Sequence, residues 1–353
     1  MFPWKDFSLT QTQTPPKKRR RWWKMIIVVV VVLLLPILYL WFKPLNVGDL
    51  AETGHSAQTY AEALERIKGL DAPAAGKLGP AGGTLLLTHG KKTDKVIVLL
   101  HGYTKSPHQF LPLGQLLFAK GCNVLIPRLP HHGLADRMNT DQALLTAEEV
   151  AAFANEVVDC AHGLGDHITV AGLSAGGLTT AWAAQHRAEV EKAVIMSPVF
   201  GYKAIPTPLT RPVMNAYLTM PNSFDWWDKD LKDRFRLDEH GKTKPDPYYP
   251  RRSTHALAQL LRLSFATQQQ AVEHGPAAQS ILIVTNAHDK DVNNEMTASV
   301  AANWRRNAAG KIHTFEFPAS QGLDHDFIDP DMPNQQTQTT YPILLDLIAK
   351  DSR

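Results

Sequence analysis

The chain has 353 residues, of which 44% are hydrophobic and 20% are charged, and its 37 basic residues nearly balance 34 acidic ones. This length fits one large α/β domain with an appendage or two modest domains, and the ordinary apolar fraction with low net charge excludes disorder for most of the chain. The two cysteines, Cys122 and Cys160, are too few for a disulfide scaffold or a cysteine-rich metal module, and the basic charge is concentrated in one short run rather than on a nucleic-acid-binding face.

The first predicted element is a membrane-spanning helix at 25–42, a run without a charged residue. A helix needs about 20 apolar residues to cross the hydrocarbon core, so this run just spans it. Basic residues cluster in 17–24, and the positive-inside rule then predicts residues 1–24 as a cytoplasmic tail and the chain after 42 as extracytoplasmic, facing the periplasm if the source is bacterial. A cleaved signal peptide is the alternative, but no small-x-small pattern follows. We therefore predict an uncleaved single-pass signal anchor.

Residues 43–82 are predicted to form a linker with one short helix at 59–70, and residues 83–353 to form the main domain. There, short apolar runs alternate with helical patterns, which predicts a mostly parallel sheet with helices on both faces. Strands are predicted at 84–88, 95–101, 123–127, 167–173, 192–196, 280–285 and 311–317, the first two as a possible pair. Helices are predicted at 109–120, 147–161, 178–186, 254–270 and 341–350.

The alternation stops at 198–279, about 80 residues that are too many for an ordinary connection. We interpret this stretch as a cap or lid insertion that excludes water and shapes an apolar pocket. Trp226 and Trp227 are candidates to line that pocket, and packing of the cap against the body is an equally good explanation for them.

The segment Gly172–Gly176 has the form G-x-S-x-G and lies between a predicted strand and a predicted helix. This context is typical of a nucleophile elbow that exposes Ser174 on a sharp turn, although a plain strand-to-helix turn gives the same pattern. A serine hydroxyl needs a base, and the base needs a carboxylate to orient it. Asp289 and His325 follow the next two predicted strands in the required order.

At this point the sequence resembles the α/β-hydrolases, and among them the lipases and esterases that include monoacylglycerol lipases. Four motifs carry the resemblance in order: strand-His-Gly at 96–102, G-x-S-x-G at 172–176, D-x-x-V at 289–292 and G-x-x-H-D at 322–326. The resemblance implies that Ser174 is the nucleophile, His325 the general base and acid, and Asp289 its orienting partner. Asp291 is the rival carboxylate, but it lacks the family spacing to Val292.

The resemblance also implies an oxyanion hole made by the backbone N–H groups of Tyr103 and Ala175. The HGGG form of some esterases is absent, so Thr104 is a further candidate donor. Asp324 and Asp326, which flank the histidine, are interpreted as structural. The acidic run that begins at Asp289 briefly resembles a calcium loop, but it lacks the glycine and the final glutamate of that loop, so calcium is rejected. The expected ester hydrolysis implies no metal or organic cofactor.

These features predict a membrane-anchored serine hydrolase that cleaves carboxylic esters, with a small ester or a lipid as substrate and no nucleic-acid partner. A peptidase or thioesterase of the same fold is the alternative within enzymes. An anchored binding protein with a lapsed triad is the alternative outside them. Neither the oligomeric state nor any pairing of the two cysteines follows from the sequence.

Overall fold

The computed structural model describes residues 18–45, 54–226, 248–332 and 334–349. The chain divides into two units, residues 1–43 and residues 44–353. Most of the predicted cytoplasmic tail and Trp227 lie outside the described residues.

The first unit contains helix α1, Lys18–Phe42, with Pro36 inside it. Its stretch Trp22–Phe42 has 21 residues and a mean hydropathy of 3.0, long and apolar enough to cross a membrane. A signal sequence near an N-terminus has the same length and composition. The helix predicted at 25–42 is therefore present, and its insertion and orientation stay predictions.

The second unit is built on a seven-stranded sheet with the strand order β1-β3-β2-β4-β5-β8-β9. Only β1 runs antiparallel, against β3. The strands are β1 Leu85–Leu87, β2 Thr93–Leu100, β3 Asn123–Ile126, β4 Gly165–Leu173, β5 Val190–Met196, β8 Ser280–Asn286 and β9 Ile312–Phe317. A separate two-stranded ribbon pairs β6 Phe224–Trp226 with β7 Arg251–Ser253.

The predicted pairing of the first two strands is wrong. Leu85 and Leu87 pair with Ile126 and Val124 of β3, so β1 forms the edge of the sheet. Both edges of β2 are already occupied, since β3 and β4 run parallel to it on its two sides. Because strand β2 has no free edge, the short polar turn between β1 and β2 cannot close a hairpin.

Helices cover the sheet, and several begin at a side chain that caps them. The helices are α2 Tyr60–Asp71, α3 Leu111–Phe118, α4 Ala147–Leu164, α5 Ala175–His186, α6 Thr210–Thr219, α7 Thr254–Glu273, α8 Asn294–Ala308 and α9 Thr337–Ala349. Helix α4 begins with a capping box between Thr146 and Glu149. Helix α5 begins three residues earlier than predicted, because Ser174 itself occupies the N-cap position.

The core lies in two layers on opposite faces of the sheet. Along β2, Val96, Val98 and Leu100 belong to one buried cluster, whereas Ile97 and Leu99 belong to the other. Successive side chains of a strand point to opposite faces, so the continuous apolar run at 96–100 of β2 predicts a sheet covered on both sides. Each such side chain contributes about 1.5–3 kcal/mol on burial, and this rigid sheet carries the loops described next.

Helix α7 packs against α4, α5 and α8 and is part of the helical layer that covers the sheet. Helix α6 packs on α7, and the ribbon of β6 and β7 follows it in the chain. The stretch predicted as a cap at 198–279 therefore includes a helix of the main body. Among the described residues, α6, the ribbon and the segment 199–205 are the parts that we propose as the cap.

Candidate active site

Ser174 lies on a sharp turn between β4 and α5, with φ 60° and ψ −114°. A non-glycine residue rarely adopts this conformation, and such strain concentrates at functional sites. A hydrogen bond from the Ser174 N–H to the Met196 carbonyl, 3.0 Å, fixes the turn. A Cβ atom at Gly176 would meet the Leu100 carbonyl oxygen at 1.9 Å, so only glycine allows α5 to begin so close to β2. The predicted elbow is therefore present in the structure.

Asp289 and His325 meet directly, although 36 positions separate them in sequence. His325 Nδ1 lies 2.8 Å from Asp289 Oδ2, and Asp289 is fully buried. The other carboxylate oxygen, Oδ1, accepts hydrogen bonds from the N–H groups of Asp291, 2.9 Å, and Val292, 3.2 Å. These contacts fix the orientation of the carboxylate toward the ring. The rival, Asp291, contributes its backbone to this arrangement, and its carboxylate makes no hydrogen bond with His325 within the described chain.

The Asp289–His325 contact shifts the pKa of both groups. Burial alone would lower the pKa of His325, but the charge and hydrogen bond of Asp289, with smaller effects of Asp326 and Asp291, raise it to about 9. Burial also opposes the charged form of Asp289, yet His325 and two backbone N–H groups hold its pKa below the ordinary value. The imidazolium form of His325 is thus strongly stabilised.

Ser174 and His325 both line a cavity of about 210 Å³ at the carboxyl ends of the strands. Ser174 is 8% exposed, so the serine is reached only through this cavity. The remaining wall is mostly apolar and aromatic, with charges at 252, 290, 291 and 326; its uncharged members include Tyr103, Val199, Tyr202, Ile205, Tyr217 and Leu257. A serine that shares a cavity with an imidazole held by a buried carboxylate provides the residue set that general-base activation requires.

The loop after β2 lies against the serine. A Cβ atom at Gly102 would be 3.6 Å from Ser174 Cβ, which brings the predicted donors of that loop to the nucleophile. Among the loop and turn hydrogen bonds of the described chain, neither the Tyr103 N–H nor the Ala175 N–H has an acceptor. Thr104, the further candidate, has φ 67° and lines the same cavity. Two free N–H groups near one serine are the arrangement that an oxyanion requires.

The residues of the proposed cap that line the cavity differ from the predicted pair, Trp226 and Trp227. Trp226 lies in β6 opposite Arg251 and is not among the residues that line the cavity, and Trp227 lies outside the described residues. The aromatic side chains that reach the cavity from this stretch are Tyr202 and Tyr217. Two adjacent tryptophans in a polar segment suggest a binding role in the sequence. The direction in which the Trp226 side chain points, however, is set by the pairing of β6 with β7, which the sequence does not show.

Two residues that hold the loops of Asp289 and His325 carry no recognisable motif. Asn286, the buried last residue of β8, donates from Nδ2 to the carbonyls of Leu323, 2.9 Å, and Asp324, 3.3 Å, and so holds the histidine loop. Lys203 Nζ donates to the Asp289 carbonyl at 2.8 Å. The position of Asn286 at a strand end is the one signal by which sequence reasoning could have found it.

Potential ligand atoms of Asp289, Asp291 and His325 lie within 4.8 Å of one another, close enough to bind one metal ion. Each carboxylate oxygen of Asp289 already accepts a hydrogen bond. His325 directs Nδ1 toward Asp289 Oδ2, so this nitrogen contacts a carboxylate and is not open to a metal ion. The geometry therefore matches an acid–base pair better than a ligand set, and we assign no metal there.

A larger cavity, about 560 Å³, lies between α2 and α4 and contains neither Ser174 nor His325. Several charged side chains on its wall pair with each other, as in the contacts of Arg66 with Glu156, 2.6 Å, and Asp159, 3.1 Å. Size alone would thus select the wrong cavity; the reactive groups identify the smaller one.

A seven-stranded, mostly parallel sheet with an elbow serine, a following carboxylate and a final histidine defines the α/β-hydrolase class of enzymes. Residues 97–336 match the model of the alpha/beta hydrolase family. The chain belongs to this family, which confirms the resemblance seen in its motifs.

Named proteins that resemble this chain include monoacylglycerol lipases. The thermostable monoacylglycerol lipase of Bacillus sp. (strain H-257) is 27% identical over 175 residues, 49% of this chain and 62% of the relative, so the alignment spans less than two thirds of that protein. The crystal structure of Paleococcus ferrophilus monoacylglycerol lipase superimposes with a TM-score of 0.55 at 16% identity, over 76% of this chain and 98% of that one. A soluble variant of the Saccharomyces cerevisiae monoglyceride lipase gives 0.56 at 12% identity, over 76% and 92%. The two structures show likeness of fold.

Proposed function

We propose that the protein is a serine hydrolase that cleaves carboxylic esters through an acyl-enzyme intermediate. The observation that carries the proposal is the 2.8 Å contact of His325 with buried Asp289, made at a cavity that also contains Ser174. The 27% identity to a monoacylglycerol lipase supports an ester rather than another acyl compound as substrate.

In the proposed reaction, His325 Nε2 takes the Ser174 proton as the Ser174 oxygen attacks the ester carbonyl carbon. The resulting oxyanion is bound by the N–H groups of Tyr103 and Ala175. The intermediate collapses when His325 returns the proton to the leaving alcohol, which leaves an acyl group on Ser174. Water, deprotonated by His325, then attacks the acyl carbon, and the acid and free Ser174 are released.

The cavity also suggests the size of the acyl group. Its volume of about 210 Å³ lies below the roughly 300–1,000 Å³ of sites that hold drug-sized ligands. The apolar wall at Val199, Ile205 and Leu257 favours an alkyl chain over a polar acyl group. We therefore propose short to medium acyl esters as substrates, and a lipid ester only if its chain extends beyond the cavity.

We further propose that α1 anchors the hydrolase as a single-pass span with the catalytic unit outside the cytoplasm. The apolar stretch of 21 residues at Trp22–Phe42, uncharged from Met25 onward, supports this proposal, as does the basic run at its N-terminal end. Fractionation of bacterial cells that express the full chain tests this proposal. We expect the protein to stay with the membranes after carbonate washing. Added protease should digest the catalytic unit once the outer membrane is permeabilised, while the inner membrane is still intact. Release of a shorter soluble protein would instead favour a cleaved signal sequence.

A thioesterase or peptidase of the same fold would use the same triad, so the substrate series separates these candidates. p-Nitrophenyl esters from acetate to palmitate are compared with the matching anilides and thioesters, with Ser174→Ala as control. We expect the highest kcat/KM for esters of about four to eight carbons. Preference for thioesters or anilides would replace the ester assignment, and a protein that turns over none of them would favour the non-catalytic binding role.

A further inference from the structure

A buried lysine, Lys105, contacts Asp326, which lines the cavity of the proposed active site. Its side chain is 2% exposed, and Nζ lies 3.1 Å from a carboxylate oxygen of Asp326 and 3.1 Å from one of Asp329. Asp329 also accepts a hydrogen bond from the Tyr248 hydroxyl at 3.2 Å, and Lys105 Nζ lies 4.2 Å from the centre of the Tyr248 ring. Burial of charge is costly unless each group is paired, and this cluster pairs every charge that it contains.

The cluster joins two loops with different proposed roles. Lys105 belongs to the loop after β2 that carries Tyr103, whereas Asp326 directly follows His325 in the chain. Gln109 makes a second connection, because its Oε1 accepts from the Gly102 N–H, 2.9 Å, and its Nε2 donates to Asp326 Oδ1, 3.1 Å. Asp326 thus receives one hydrogen bond on each oxygen, both from the loop that would supply an oxyanion donor.

Electrostatics gives the cluster a second effect. Asp326 is one of the carboxylates that raise the pKa of His325, and Lys105 pairs with this carboxylate at 3.1 Å. Burial would lower the pKa of Lys105, but Asp326 and Asp329 outweigh this effect and raise it, so the lysine stays charged. The other titratable or charged groups around His325 are Asp289, Asp291, Lys290 and His288 from the loop after β8, Arg252 from β7, Asp324 from its own loop, and Tyr103, Tyr202 and Tyr217.

We propose that Lys105 and Gln109 are positioning residues. Through Asp326 they fix the loop after β2, which carries Tyr103, to the loop that carries His325. Lys105 also shields His325 from the charge of Asp326. This inference rests on the proposed function. It assigns a role to Asp326, which the sequence predicts only as structural, and to two residues without a motif. Neither Lys105 nor Gln109 touches the reacting atoms.

The test compares pH profiles of kcat/KM for Lys105→Met, Asp326→Asn and the double variant. Lys105→Met leaves Asp326 unshielded. The acid limb of the kcat/KM profile of this variant should therefore move up by about one pH unit, which is a tenfold change in the affinity of His325 for its proton. Asp326→Asn removes the charge and should move the limb down. The double variant should return to within about 0.3 pH units of the wild type. Lys192→Met, which removes another buried lysine at the start of β5, serves as control and should leave the profile unchanged.

Gln109→Leu separates positioning from charge. It removes both hydrogen bonds of the bridge without changing any charge, so kcat should fall about tenfold while KM and the acid limb stay constant. Should Lys105→Met fail to fold, Asp326→Asn and the double variant still carry the test. Acid limbs of all variants within 0.2 pH units of the wild type, together with an unchanged kcat for Gln109→Leu, would overturn the inference.

The imidazole of His325 can also be titrated by NMR in each variant, without any turnover. The same order of pKa values is expected: Lys105→Met highest, wild type and double variant in the middle, Asp326→Asn lowest. A wild type that hydrolyses no ester refutes the proposed function, whereas an active wild type with an unmoved His325 titration refutes only this inference.

Discussion

Replacing Asp289 with asparagine tests how the histidine is held. Asparagine keeps an acceptor for the N–H groups of Asp291 and Val292, so the loop after β8 should keep its conformation. The NH₂ group would then face His325 Nδ1 and could no longer accept its proton. The ring would adopt the other tautomer, with the proton on Nε2, and this form cannot take a proton from Ser174.

The size of the effect follows from the pKa of His325. Its rise from 6.5 to about 9 corresponds to roughly 3 kcal/mol that favours the imidazolium at about 1.4 kcal/mol per pH unit. A raised folded-state pKa contributes stability that is complete below the unfolded-state value near 6.5 and is lost as the pH rises through 9. In Asp289→Asn, the largest stabilising contribution disappears, and burial, the largest effect on the ring, outweighs the smaller effects of Asp326 and Asp291, so the pKa of His325 should fall below 6.5.

Two assays follow from this reasoning. In urea unfolding from pH 6 to 10, the wild type should lose about 3 kcal/mol from this group, and Asp289→Asn should lose almost none. With a p-nitrophenyl ester, kcat should fall by about 10³–10⁴, as the same change does in other serine triads. Asp291→Asn is the matched control, and its kcat should stay within about tenfold of the wild type. A larger loss in Asp291→Asn than in Asp289→Asn would refute the assignment of the carboxylate.

Four further outcomes are expected. Since His325 must be neutral to act as base, kcat/KM of the wild type should rise about tenfold from pH 7 to pH 8 and level off above 9; a profile flat from pH 6 contradicts the raised pKa. Gly176→Ala should abolish activity and lower the unfolding free energy by at least about 1–3 kcal/mol, because its Cβ would overlap the Leu100 carbonyl. Asp159→Ala should lower the free energy of unfolding by about 1–3 kcal/mol in urea, because it removes the buried carboxylate 2.5 Å from Arg187 and leaves this arginine paired with the more exposed Glu189; a change below about 0.5 kcal/mol contradicts this. Removal of residues 1–43 should yield a soluble, active hydrolase, and loss of ester turnover despite native circular dichroism would show that the first unit is needed for the chemistry.

Local sequence signals were sufficient where one short segment determines the structure. The elbow at 172–176 combines a buried strand, two glycines and a helix start, and each of these is visible in the sequence and present in the structure. The order of Ser174, Asp289 and His325 is likewise a property of the chain. The fold class followed because apolar strands alternate with helical patterns, which few architectures accommodate.

Long-range pairing was not predictable in the same way. The partner of β1 depends on which strand leaves an edge free, and that depends on the position of β3, almost 40 residues later. The bridge from Lys105 to Asp326 spans more than 200 positions and contains residue types that are common on protein surfaces. A buried lysine carries no periodic signal, so only the coordinates bring it together with the histidine loop.

The central claim is that Ser174 is a nucleophile activated by His325, and covalent labelling tests it most directly. The full chain is treated with a fluorophosphonate at pH 8 and 9, and the modified peptide is identified by mass spectrometry. We predict one phosphonyl group per chain, on Ser174, with labelling lost in Ser174→Ala and slowed at least a thousandfold in His325→Ala. A wild-type protein that remains unlabelled, or that is labelled equally fast without the imidazole, would contradict the claim.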